Sequence, residues 1–105
     1  MAYQIITTKE SERLIEGCID YLINALKEPK AASHFVNELE KLYSRLEDNP
    51  LQFRCCSDES LANLGYRECQ FSSMNYRLIF RIENELIYIV AVYHYSEDFI
   101  SKLNP

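Results

Sequence analysis

"NYRLIFRIENELIYIVAVYHY", residues 75–95, is the stretch whose reading decides the fold. It divides into two strands around a polar turn. From Asn75 to Ile82 the even positions are Tyr76, Leu78, Phe80 and Ile82, whereas the odd ones include Arg77 and Arg81. Alternate residues of a strand point to opposite faces, so the even set is the core face. The second strand is ambiguous, because Ile87, Ile89, Ala91 and Tyr93 face one way, and Leu86, Tyr88, Val90, Val92 and His94 the other. Pairing must decide between two apolar sets. A slip of one residue moves every side chain to the other face, and a two-residue turn at Asn84-Glu85 aligns Ile87 and Ile89 with Phe80 and Ile82. Continued without interruption, that register sets Asn75 opposite His94. Arg77 then lies diagonally from His94 on the same face, within reach of a long side chain. A three-residue loop would set Arg77 beside Tyr93 and Tyr95 instead.

Working outward, "YRECQF" (66–71) alternates as a strand before the turn "SSMN", and "YQIIT" (3–7) is a short opening strand rich in β-branched residues. Between them the period changes to that of helices. Thr7 and Glu10 fit a capping box, and Ile15, Cys18, Ile19, Leu22 and Leu26 form one apolar stripe. Pro29 ends that helix, since it removes an amide donor and disfavours helical geometry at Glu28. A second stripe, Ala32, Phe35, Leu39, Leu42 and Leu46, follows and stops at Pro50. Residues 51–65 lack a sustained period and are expected to hold a loop and a short turn ending at Gly65. The whole predicts an α+β domain over 1–105: an N-terminal strand, an antiparallel helical hairpin, then a three-strand antiparallel run, with both helices covering one sheet face. Leu78, Phe80, Ile87 and Ile89 are expected to meet the helical stripes at Leu22 and Leu39.

Composition limits what such a domain does. Hydrophobic residues make up 48% of the chain and glycines number two, which is the profile of an ordered single domain. No apolar run reaches the length needed to cross a bilayer, and the N-terminus lacks a signal-peptide layout, so a cytoplasmic location is expected. Cys18, Cys55, Cys56 and Cys69 show no Cys-x-x-Cys spacing; they read as ordinary thiols, with no metal and no cofactor expected. The formal net charge of −5 argues against broad, non-specific nucleic-acid binding. Charge is unevenly spread, however: residues 67–81 carry Arg67, Arg77 and Arg81 against Glu68 alone, so a local positive face survives on an acidic body.

The order of elements, together with "PKAASHF" opening the second helix, "LGYRE" before a turn and the closing hairpin, resembles the RelE/ParE superfamily of bacterial type II toxin–antitoxin toxins. The resemblance covers nearly the whole chain. The helical half looks more like ParE, whose members poison DNA gyrase; the sheet half looks more like YoeB and RelE, ribosome-dependent messenger-RNA endonucleases. A short C-terminal helix goes with that fold. On the YoeB side, the resemblance implies that Glu59 in "ESLANLG" takes the proton of the ribose 2′-hydroxyl and that Arg77 stabilises the phosphorane charge. It further implies that His94 protonates the leaving oxygen while Tyr95 stacks on a base or orients the phosphate. Arg67 and Arg81 would contact RNA or a cognate antitoxin. The sequence departs from the RNA-cleaving pattern in its acidity and in Ser96, Glu97 and Asp98, which follow Tyr95 where relatives carry arginines. Three functions follow from the resemblance: a ribosome-dependent mRNA endonuclease of a plasmid-stabilisation module, a non-enzymatic gyrase inhibitor, and a binding module that has lost catalysis.

Overall fold

The computed structural model describes residues 3–95. The expected C-terminal helix, and Ser96, Glu97 and Asp98, lie outside the described residues. Four strands, β1 (Gln4–Thr7), β2 (Arg67–Gln70), β3 (Tyr76–Glu83) and β4 (Leu86–His94), form one sheet in the order β1-β4-β3-β2. β1 runs parallel to β4 and the other pairs are antiparallel. Helices α1 (Lys9–Asp20) and α2 (Pro29–Asp48) cover one face, and a short α3 (Glu59–Asn63) lies in the segment between α2 and β2.

The entry into α1 differs from the capping box expected at Thr7 and Glu10. Thr8 is the cap, its hydroxyl accepting from Ser11 N at 3.0 Å, while Thr7 instead donates its hydroxyl to Glu12 at 2.6 Å. Ser11 is fully buried and returns its own hydroxyl to the Thr8 carbonyl at 2.8 Å. After Asp20 the helix widens into a π-turn, Tyr21–Ala25, with Leu26 N bonded to the Tyr21 carbonyl. That extra residue rotates the stripe. Leu22 is buried, but Leu26, expected in the same stripe, is 46% exposed. Lys27 then takes a left-handed conformation (φ 56°), and Glu28 N reaches back to the Leu22 carbonyl at 2.8 Å, closing the helix without a glycine. Pro29 supplies the first position of α2, where its missing donor costs nothing.

α2 buries the five apolar residues of its predicted stripe, with Phe35 and Leu46 at zero exposure. They meet Leu78, Phe80, Ile87, Ile89 and Val92 from the sheet. Phe35 stacks on Phe71 and meets Tyr76 edge-on, with centroids 5.2 and 4.9 Å apart. The second sheet face has a smaller cover, made by Cys56 and Leu61 over Ile79, Ala91 and Tyr93. Gly65, at φ 91°, turns the chain from α3 into β2, a conformation that residues with a Cβ rarely adopt.

The hairpin carries the decisive departure. Asn84 and Glu85 form the expected two-residue turn, Asn84 taking a positive φ of 56°, and Ile82 pairs with Ile87 and Phe80 with Ile89 as the register requires. Past that point one residue, Val90, is inserted into β4, so Ile79 pairs with Ala91. This is a β-bulge. The register therefore slips, and His94 faces Tyr76, not Asn75, while Arg77 faces Tyr93. Both Ile89 and Val92 can then reach the helical core, three positions apart, which an unbroken strand does not allow.

Candidate functional site

Because of the bulge, the two residues expected to converge lie on opposite faces of the sheet. His94 shares a face with Tyr76 and packs against its ring edge-on, centroids 5.1 Å apart. Tyr76 belongs to the helical core. Arg77, the next residue along β3, points away from that core and sits against Tyr93 and Tyr95. The arrangement that a three-residue loop would have produced is thus reached by a two-residue turn plus one bulged residue.

Arg77 is held closely. Its guanidinium lies over the Tyr95 ring, 4.7 Å from the centroid, and donates to the Tyr93 hydroxyl. Burial by itself would lower the Arg77 pKa, but the Tyr93 hydroxyl and the nearby Glu68 outweigh it and hold the value above its ordinary level. Burial pushes the Tyr93 hydroxyl up, an effect that Arg77 partly offsets. The Arg77 Nε is buried and has no hydrogen-bond partner among the described residues. Glu68, only 3% exposed, is committed elsewhere: Arg54 donates to it at 2.6 Å and Ser57 N at 3.1 Å. Those two bonds anchor the segment before α3 to β2.

The remaining predicted site residues are dispersed. Glu59 is exposed at the first position of α3, whose cap is Asp58 accepting from Leu61 N at 3.0 Å. Arg67 pairs across the ladder with Phe80, on the helix-side face, and donates to the Phe53 carbonyl at 2.6 Å. It is therefore on the opposite face from Arg77. Arg81 shares the Arg77 face, lies over Tyr88 at 4.4 Å and is paired with Glu83. The bulge thus leaves Arg77, Tyr95 and Arg81 on one face and His94 and Arg67 on the other. Among the described residues no three His, Cys, Asp or Glu side chains gather into a metal-ligating group.

Sequence reasoning missed a second polar cluster. Glu38 of α2 is 4% exposed and accepts from Ser72 N (2.7 Å), Ser72 Oγ (3.0 Å), Ser73 N (3.2 Å) and the Ser73 hydroxyl. His34 Nε2 stands 2.8 Å from the same carboxylate and 2.5 Å from Ser73 Oγ. Burial would raise the Glu38 pKa, but the hydrogen bonds from Ser73 and Ser72 outweigh it and hold the carboxyl below its usual range. A histidine, a carboxylate and a serine invite comparison with a nucleophilic triad. Here both Glu38 and Ser73 contact one imidazole nitrogen, so the carboxylate cannot orient the ring from the far side as a relay requires. The cluster is a clasp that ties the β2–β3 turn to α2. Glu38 falls three residues after Phe35 and four before Leu42, inside the apolar stripe, and a charge at that spacing was the available signal.

Between α1, the π-turn and the end of β4 lies a groove of about 770 Å³, with Leu22, Tyr76, Val92 and His94 at its base and Tyr21, Leu26 and Met74 along its rim. The pairing of β1 with β4 ends at Ile89, so the groove runs beside the β4 residues beyond the bulge. Three exposed apolar residues, Tyr21, Ile23 and Leu26, cluster at the π-turn.

A family model described as "ParE toxin of type II toxin-antitoxin system, parDE" matches residues 5–99. Among curated proteins no relative matches the chain by sequence. Solved structures resemble it in fold. A chromosomal ParDE toxin–antitoxin system from Pseudomonas aeruginosa superposes with a TM-score of 0.71 at 16% identity, over 88% of this chain and 95% of that one. The RelBE2 toxin–antitoxin complex of Mycobacterium tuberculosis gives 0.60 at 20% identity, over 90% of this chain and 99% of that one. A mutant Escherichia coli RelE toxin in the free state gives 0.60 at 12% identity, over 97% and 93%.

Proposed function

The chain belongs to the ParE toxin family of type II toxin–antitoxin systems, and we propose that it acts there by binding its target rather than by cleaving RNA, with DNA gyrase as that target. The observation that carries this reading is the bulge at Val90, which turns Arg77 and His94 to opposite faces of the sheet. An acid–base mechanism needs the proton donor and the charge-stabilising group on the same phosphate, within hydrogen-bond reach of it. A sheet separates them here. The buried Tyr76 ring against which His94 packs further ties that imidazole to the helix-side face.

Three features support the same reading. Glu59, the expected base, is an exposed residue at the start of α3, the position of an ordinary solvated carboxylate. The net charge of −5 opposes docking on a polyanion. The exposed apolar residues at the π-turn and the groove behind them suit recognition of a protein surface, where a few buried apolar and aromatic anchors carry most of the affinity.

The variants His94→Gln and Glu59→Gln test it. Both should inhibit gyrase supercoiling at concentrations within about threefold of the parent, since affinity spread over a surface does not depend on one proton donor. A loss of toxicity by about 10²-fold or more in either variant, with the fold retained and message cleavage lost in parallel, would return the protein to the RNA-cleaving class.

A further inference from the structure

Arg77 stands apart from the other arginines that have been tied down. Arg13, Arg54 and Arg81 each have a carboxylate at ion-pair distance, in Glu10, Glu68 and Glu83. Arg45 spends its donors on Gln52, and Arg67 on the Phe53 carbonyl. Arg77 has no carboxylate partner among the described residues, its Nε is buried without an acceptor among them, and Glu68, the carboxylate whose charge reaches it, is held by Arg54 and Ser57. The half-buried guanidinium is covered by the Tyr95 ring and spends a donor on the Tyr93 hydroxyl, a neutral partner that leaves its charge unmatched. Such a group is incomplete in charge, and it gains most from an anion presented in its plane, where two parallel N–H···O bonds form.

We propose that Arg77, clamped between Tyr93 and Tyr95, is the receptor for a single carboxylate side chain of the cognate antitoxin. The surroundings choose a carboxylate over a phosphate chain. Glu68 and Asp58 lie on this side of the protein, Glu68 close enough to act on Arg77 and both close enough to act on the Cys56 thiol. One peptide carboxylate passes that screen because a one-to-one pair beside the Tyr95 ring is shielded from water on that side, whereas each added phosphate meets Glu68 and the acidic body without a further free arginine. Tyr95, 41% exposed and stacked on the guanidinium, is the element that shifts to admit the partner. The three arginines of residues 67–81 thus differ: Arg67 is on the other face, Arg81 is already paired with Glu83, and Arg77 is the one that reads an acid. It rests on membership of a toxin–antitoxin family and not on gyrase being the target.

Side-chain NMR of the intact protein labelled with 15N at arginine tests this without knowledge of the antitoxin. The probe is a capped heptapeptide carrying three glutamates among leucines, with its glutamine counterpart and a capped RNA trinucleotide of matched charge as controls. The Arg77 Nε–H resonance, assigned by its loss in Arg77→Lys, should shift saturably with the glutamate peptide alone, while the Arg81 signal stays put. Arg77→Gln should weaken the peptide at least tenfold and Arg81→Gln by less than twofold. Movement of the resonance by the RNA to the same extent, or no movement by the acidic peptide, overturns the proposal. So does a large shift in the peptide-free double variant Glu97→Gln/Asp98→Asn, which would mean that the chain's own carboxylates fill the site. None of these outcomes depends on a gyrase assay, so this inference and the proposed target fail separately.

Discussion

Replacing Glu38 with alanine removes one buried carboxylate that accepts from four donors. Two of those donors are backbone amides, Ser72 N and Ser73 N, and two are hydroxyls, with His34 a further contact. A hydrogen bond to a charged group contributes about 1.5–3 kcal/mol net, and an amide left unmet costs a similar amount unless water reaches it. The two serines are exposed, so water recovers part of the loss. The burial cost of the charge also disappears. The balance is a destabilisation of about 3 kcal/mol for Glu38→Ala, and about half that for Glu38→Gln, which keeps one acceptor but turns an NH2 toward donors. The pH dependence has a definite sign. The folded Glu38 pKa lies below its unfolded value of about 4.3, so its contribution is fully present above that value and is lost as pH falls through the lower folded pKa. Urea unfolding followed by circular dichroism, at pH 7 and in steps down to pH 2.5, measures both. Glu38→Gln should start less stable and lose less on acidification than the parent. A Glu38→Ala cost under about 1 kcal/mol at pH 7, or parallel acid profiles for parent and glutamine variant, would refute the clasp.

Other expectations are simpler. Phe80→Ala, at a fully buried site edge-on to Phe53, should cost about 3–5 kcal/mol in denaturant unfolding, whereas Arg81→Ala, at a half-exposed residue that pairs with Glu83 and stacks on Tyr88, should cost less than about 1 kcal/mol. Deleting Val90 removes the extra residue and leaves Ala91 through His94 opposite their present partners, so the deletion variant should stay soluble and unfold cooperatively, whereas a deletion that abolishes folding would contradict the bulge. Burial and neighbouring acids push the Cys56 thiol up to about 12, and burial pushes Cys69 up as well; brief iodoacetamide treatment of the folded protein at pH 8 should therefore label the exposed Cys55 first, as read by peptide mass spectrometry.

Much of this architecture is written plainly in the chain. The α2 stripe from Ala32 to Leu46, the stop at Pro29 and the turn at Asn84-Glu85 each rest on a local rule, and tertiary packing agrees with all of them. The bulge could not be read in the same way. β4 is apolar on both faces, so inserting Val90 violates no pattern, and only the need to fit both Ile89 and Val92 against α1 and α2 selects it. That one residue moved His94 away from Arg77, and with it the expected site. Leu26 failed for a related reason: the π-turn adds a residue to a helix, and a stripe counted at 3.6 residues per turn runs off its face. Glu38 was legible only as an anomaly, a charge inside a stripe, and its partners at Ser72 and Ser73 lie far along the sequence where no local pattern links them.

We propose that this toxin binds its target and does not cleave RNA, and one preparation of the wild-type protein decides between the two. Incubated in parallel with gyrase plus supercoiled DNA and with translating ribosomes carrying end-labelled message, it should inhibit supercoiling or trap gyrase–DNA cleavage complexes while the message stays intact. Codon-positioned cuts in ribosome-bound message, with gyrase unaffected at the same concentration, would contradict the account.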